Sequence, residues 1–232
     1  MAPVRTYSSW NKRPSDYSPK IEPYRKYFII CEGANTEVWY FKKLIDLRKY
    51  LDIHPLIDLR LMEKTEKHKN LSNPKPLIQF AEAQKALPEI GFDVKRDKMI
   101  IVFDADIYKY KSDKYAEILT MKQSNDIFAV TYPSFELFLI LHYENAYERI
   151  IKPNVNAILE NRKEGKRRFV AKLFTDQSGQ NPKENSSIAE LAKDVRTAIQ
   201  EAKHLNQDIE NAVGQLTSNV GKVIQDILDD KG

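Results

Sequence analysis

The chain is poor in the residues that mark several common function classes. One cysteine in 232 residues rules out a disulfide framework and a Cys-rich zinc module. Four histidines, at positions 54, 68, 142 and 204, show no HxxxH or HxH spacing, which argues against a classical zinc enzyme. Seven glycines are too few for a fibrous or linker-like chain. No uninterrupted apolar run exceeds the five residues at 137–141, against the roughly 20 needed to span a bilayer. Basic residues near the N-terminus have no apolar block behind them, so no signal peptide is read and a reducing cytoplasm is the expected setting. What remains, 42% hydrophobic and 30% charged, suits one domain of generous size or a modest domain with a helical annex.

Charge is unevenly placed. Residues 1–26 carry six Lys/Arg against Asp16 and Glu22, a net +4 that equals the net charge of the whole chain. Tyr7, Trp10, Tyr17 and Tyr24 are interleaved with these cations and with prolines. A basic arm with aromatics can track a nucleic-acid backbone and stack on bases, so Lys12, Arg13, Arg25 and Lys26 are candidate contacts; a solvated leader is the competing reading. A second basic cluster, Arg162, Lys163, Lys166, Arg167, Arg168 and Lys172, either binds phosphates or forms an exposed loop.

Periodicity orders the chain as β-α-β-α-β-(α)-β-α. Tyr27-Phe-Ile-Ile-Cys31 reads as a buried strand, and Asn35 or Thr36 as the cap of a helix with Val38, Phe41, Leu44 and Ile45 on one face. Alternation at 57–61 predicts a half-buried strand. Ser72 or Asn73 starts a helix bearing Leu77, Ile78, Ala81 and Leu87. Residues 99–103 and 127–130 are further buried strands, and Pro133-Ser134 opens an apolar helix over 135–143. Strands alternating with helices predict an α/β fold with a mostly parallel sheet flanked by helices. The last third turns helical: Ser187-Ile-Ala-Glu190 matches a capping box before a stripe of Ile188, Leu191, Val195, Ala198 and Ile199, and 219–228 closes the chain as a helix. The expected division is a basic arm over 1–25, an α/β core over 26–150, and a basic loop with a helical extension packed on the core over 151–232.

Open α/β sheets place their sites at the carboxyl ends of the strands. Glu32 follows the first strand, and Asp104 and Asp106 follow the third. In an extended segment Asp104 and Asp106 project to the same side. Hard oxygens so placed suit Mg²⁺ or Mn²⁺, whose charge offsets the repulsion among the acids and stabilises a phosphoryl transition state. Ordinary turn acids at strand ends are the plainer reading.

Three ordered blocks carry a resemblance: Phe28-Ile-Ile-Cys-Glu-Gly-Ala-Asn-Thr-Glu37, Val102-Phe-Asp-Ala-Asp106, and Pro133-Ser-Phe-Glu-Leu-Phe-Leu-Ile-Leu-His142. Together they resemble the signature of the RloB family, grouped with the Toprim-like nucleases of prokaryotic phage defence. Tyr132 stands where that signature usually has Asn, and Ala105 where Arg is frequent; Leu216-Thr-Ser-Asn-Val220 only loosely matches the closing motif. The resemblance covers roughly 26–145 well. It implies a Toprim-like core and a metal-dependent nuclease acting on phosphodiesters in RNA or DNA, an effector of abortive anti-phage defence. Glu32, Asp104 and Asp106 would be catalytic, and the same three with Glu136 would hold Mg²⁺ or Mn²⁺. A neighbouring ATPase subunit is the partner it implies; the sequence leaves oligomeric state open, a homo-oligomer included, and points to no membrane.

Glu37, in the first turn of its helix, is read as complementing the helix dipole, and Cys31 and His142 as packing residues. Two other function classes stay open. Asp-x-Asp also occurs in nucleotide-sugar glycosyltransferases, which need a nucleotide pocket at the first strand, and the fold could serve as a non-catalytic nucleic-acid or partner-binding module.

Overall fold

The computed structural model describes residues 22–62, 64 and 73–231. Lys12 and Arg13, and with them the arm expected over 1–25 except its last residues, lie outside the described residues. Four strands, β1 (Arg25–Cys31), β2 (Ile57–Leu61), β3 (Lys98–Asp104) and β4 (Asp126–Tyr132), pair in parallel in the order β2-β1-β3-β4. Helices α1 (Thr36–Asp46), α2 (Pro74–Lys85) and α3 (Ser112–Thr120) connect them. Then come α4 (Glu136–Ile140), α5 (Val155–Glu160), the hairpin β5 (Lys163–Glu164) and β6 (Arg167–Arg168), α6 (Phe169–Ser178), α7 (Val195–Glu201), β7 (Thr217–Ser218) and α8 (Val220–Asp229). The fold is α/β, with a mostly parallel five-stranded sheet and helices on both faces.

The apolar runs of β1, β3 and β4 follow from burial on both sides. Tyr27, Ile29 and Cys31 of β1 face a cluster shared with α1, α4, α6, α7 and α8, while Phe28 and Ile30 face a smaller one with α2 and α3. The first cluster runs without a break from Tyr27 to Leu228, so the segment after 150 builds the core together with the strands. It also completes the sheet: β7 pairs antiparallel with the edge of β4, Thr131 opposite Ser218 and Tyr132 opposite Thr217.

Local detail departs from the sequence reading at several points. Asn73 caps α2 as expected, accepting from the Lys75 N–H at 3.2 Å, but Leu87 falls beyond the helix and is exposed. The apolar helix expected over 135–143 is helical only at Glu136–Ile140, its following residues being turned. The capping box at Ser187–Glu190 does not form. Asn185 caps a 3-10 helix (Ser186–Asp194), and Glu190 instead pairs with Lys43 and Lys193. Asn35 and Thr36 make no capping bond, for a reason given below.

Candidate active site

Strand order 2-1-3 reverses direction between β1 and β3, and a crevice opens where the connections diverge. Glu32 and Asp104 sit there. Their parallel register, Cys31 opposite Val102, brings the two strand ends level, and the Asp104 N–H donates to Glu32 Oε2 at 3.2 Å. The Lys64 ammonium donates to the Glu32 carbonyl.

Asp106 does not continue the strand. Ala105 bends the chain (φ −97°, ψ 7°) and Asp106 opens a 3-10 turn (Asp106–Tyr108). The same-side projection expected of an extended Asp-x-Asp is therefore corrected: period-two geometry ends at Asp104. Asp106 Oδ2 meets Arg168 Nη1 of β6 at 3.5 Å. Glu136, in the first turn of α4, is buried, with its Oε1 3.0 Å from Lys183 Nζ.

The structure adds Glu37 to this group, which sequence reasoning assigned to helix capping alone. Its place in the first turn is as expected, but its carboxylate is buried and folded back over Gly33, and Oε2 has no hydrogen-bond partner. A Cβ on Gly33 would lie 1.9 Å from that oxygen, so glycine here makes room for the carboxylate. The signal lay in Gly33, six residues after the buried run starts at Tyr27, with an acid four positions on.

Electrostatics tie the acids together. Burial, joined by the charges of Glu37 and Asp106, raises Glu32 to about 7. Burial, then the charges of Glu37, Glu136 and Glu32, pushes Asp104 well above the ordinary carboxylate range. Burial raises Glu37 and Asp106 too, against the opposing charges of Lys183 and Arg168 respectively. Burial works against ionisation of Glu136 as well, yet the Lys183 charge and a Ser134 hydrogen bond bring it below its usual value.

The donor set suits a hard cation in its chemistry: five carboxylates, with Glu37 Oε2 buried and unpartnered and Glu136 Oε1 buried with only the Lys183 ion pair, in a field made negative by their neighbours. Two of them, Asp106 and Glu136, are turned toward protein cations, Arg168 and Lys183. Among the described residues no three acids, histidines or cysteines stand together as a metal-holding group.

A cleft of about 360 Å³ is lined by Asp104, Asp106 and Glu136 together with Lys166, Arg167, Arg168 and Lys183. A second groove shares Lys166, Arg167 and Lys183 and runs on past Lys172. The basic cluster thus meets the acids, carried there by the β5–β6 hairpin. Arg162 and Lys163 are exposed, Arg162 being paired with Glu160. Arg25 and Lys26 are not brought to the site. They open β1, about 20 Å from Glu32 along an extended strand, and are engaged by Asp230 and Asp97. A different cleft, of about 520 Å³, has its own acids in Asp208, Glu210 and Asp226, but these are exposed and none follows a strand of the main sheet, so burial and position rather than size select the site. Among the described residues no helix is long and apolar enough to cross a membrane.

Comparison with known proteins agrees with the ordered blocks. The family described as RloB-like protein matches residues 27–227, most of the chain and all of the acids just described. No curated protein and no solved structure matches it. The chain belongs to the RloB-like protein family.

Proposed function

We propose that the chain is a metal-dependent nuclease of the Toprim-like kind, using Mg²⁺ or Mn²⁺ to cleave phosphodiester bonds in RNA or DNA. One observation carries the reading: Glu32 and Asp104 meet at the crossover of the sheet, with Glu37, Asp106 and Glu136 around them, beside a wall of Lys166, Arg167 and Arg168. Acids that repel one another beside cations that can take phosphates suit a reaction joining a divalent ion to a polyanion.

Glu32, Asp104, Asp106 and Glu136, with the buried Glu37, would hold the ion, which when bound would offset their charge and polarise the phosphoryl group. Asp104 N–H orients Glu32 by holding Oε2, which leaves the other oxygen to meet the ion or to exchange a proton with water. Lys166 and Arg167 would hold flanking phosphates. A nucleotide-sugar transferase is disfavoured because the turn after β1 is filled by the Glu37 carboxylate. The resemblance extends the proposal to a cytoplasmic effector of anti-phage defence working beside an ATPase subunit.

The test is cleavage of labelled RNA and DNA with Mg²⁺ or Mn²⁺ by the wild type and Asp104→Asn. Loss of metal-dependent cleavage by at least about a hundredfold, with thermal unfolding preserved, is expected. Equal cleavage by the variant, or none by the wild type on any substrate with either ion, removes the reading. Hydrolysis of a UDP-sugar without nuclease activity would move it to the transferase class.

A further inference from the structure

Lys183 belongs to no motif, yet it is held with care. It lies in the loop between α6 and the 3-10 helix at Ser186–Asp194. The two residues that open α1 grip that loop. Asn35 Nδ2 donates to the Lys183 carbonyl at 3.1 Å, and the buried Thr36 hydroxyl donates to the Pro182 carbonyl at 2.8 Å. These side chains are thus engaged with another loop, which is why they do not cap their own helix. The next residue along is Glu37, with its unpartnered buried oxygen.

From this fixed backbone the Lys183 side chain reaches Glu136 at 3.0 Å, and its charge also acts on Glu37 and Asp104. The Lys183 ammonium, with Lys64 also acting on Glu37, is outnumbered by Glu136, Glu37 and Asp104. A divalent cation would offset their charge better, but it competes for the same Glu136 oxygen. Lys183 lines both the cleft over the acids and the outer groove with Lys166 and Arg167, so one flexible side chain on a pinned backbone borders the acids and the phosphate path alike.

We propose that Lys183 is a displaceable counter-ion: it holds Glu136 while no metal is bound, yields to the divalent cation, and then turns outward to a substrate phosphate. The inference rests on the metal-dependent reading above and adds to it a coupling between metal binding and substrate binding that no sequence pattern announces.

Two measurements on the full chain test it. Mn²⁺ binding is followed by titration calorimetry for the wild type, Lys183→Met and Lys183→Gln, with thermal unfolding to verify folding. Binding of a mixed-sequence single-stranded oligonucleotide is followed against salt, with Ca²⁺ in place of Mg²⁺ to hold off cleavage. Removing the competing ammonium should tighten Mn²⁺ binding about tenfold. It should also weaken the oligonucleotide and flatten its salt slope by about 0.7, one phosphate contact on a single strand. A passive structural lysine would not move the two affinities in opposite directions. Unchanged or weaker Mn²⁺ binding by both variants overturns the counter-ion role, and tighter Mn²⁺ with an unaltered salt slope overturns the outward turn. Absence of Mn²⁺ binding in the wild type itself overturns the metal reading and this inference together, a result distinct from the other two.

Discussion

Between two backbone carbonyls and a phenol, the imidazole of His142 has one proton arrangement that satisfies every partner. Nδ1 lies 3.1 Å from the Phe138 carbonyl and 3.2 Å from that of Leu139, so it must carry the proton. Nε2 is then the acceptor for the Tyr40 hydroxyl, 2.9 Å away. Burial drives the group from its ordinary 6.5 down to about 4, although the two carbonyls favour the charged form. The folded state therefore resists a proton that the unfolded chain accepts. Its contribution to stability is complete above pH 6.5 and is lost as pH falls toward 4, a span of about 3 kcal/mol. The acids of the site run the other way, since their raised values favour the folded state at low pH, so a bare pH profile mixes the two. His142→Gln keeps a donor and an acceptor without the titration and separates them. Urea unfolding from pH 7 to 4 should show the wild type losing about 3 kcal/mol relative to the variant. Parallel profiles would contradict the neutral assignment.

At the scale of elements, Asn219 does for β4 what a longer strand would otherwise do. Its Oδ1 accepts from the Val130 N–H and its Nδ2 donates to the Phe128 carbonyl, both at 2.7 Å and both buried. Two residues of β7 then finish the edge. Asn219→Ala leaves a donor and an acceptor of the sheet edge unpaired, which should cost about 3 kcal/mol in urea unfolding. A loss below about 1 kcal/mol would show that water replaces the side chain. Nothing in Leu216-Thr-Ser-Asn-Val220 announces this, because two-residue pairing has no periodicity and its partner lies some ninety residues earlier. The long elements were legible for the opposite reason: β1 and β3 are apolar on consecutive positions because both faces are covered, and α8 carries Val220, Val223, Ile224, Ile227 and Leu228 on one buried face. Glu32 and Asp104 could be read from their place just after such runs. Lys183 and the roles of Asn35 and Thr36 could not, since each depends on which loops meet, and for Glu37 the Gly33 signal lost to the cheaper local answer of a helix cap.

Across the whole molecule, charge is sorted by sheet end. The carboxyl ends of β1 and β3 hold the acids and face the cationic hairpin, while the amino ends hold Arg25 and Lys26 in ion pairs with Asp230 and Asp97. Cations at the amino end are therefore spent on holding the fold, and those of the hairpin are the ones placed to meet a polyanion. Lys166 and Arg167 line both grooves, whereas Arg168 is turned to Asp106, so the first two can be removed without stripping an acid of its partner. On a single strand each lost phosphate contact lowers the slope of log K against log salt by about 0.7, so the Lys166→Ala, Arg167→Ala pair should flatten it by about 1.4. Lys95, exposed in the loop before β3 at the far end, serves as the control, and its replacement by Ala should leave the slope unchanged. Equal slopes for the hairpin pair and the wild type would mean that the polyanion does not cross this wall, and a slope change at Lys95 instead would place its path at the opposite edge of the sheet.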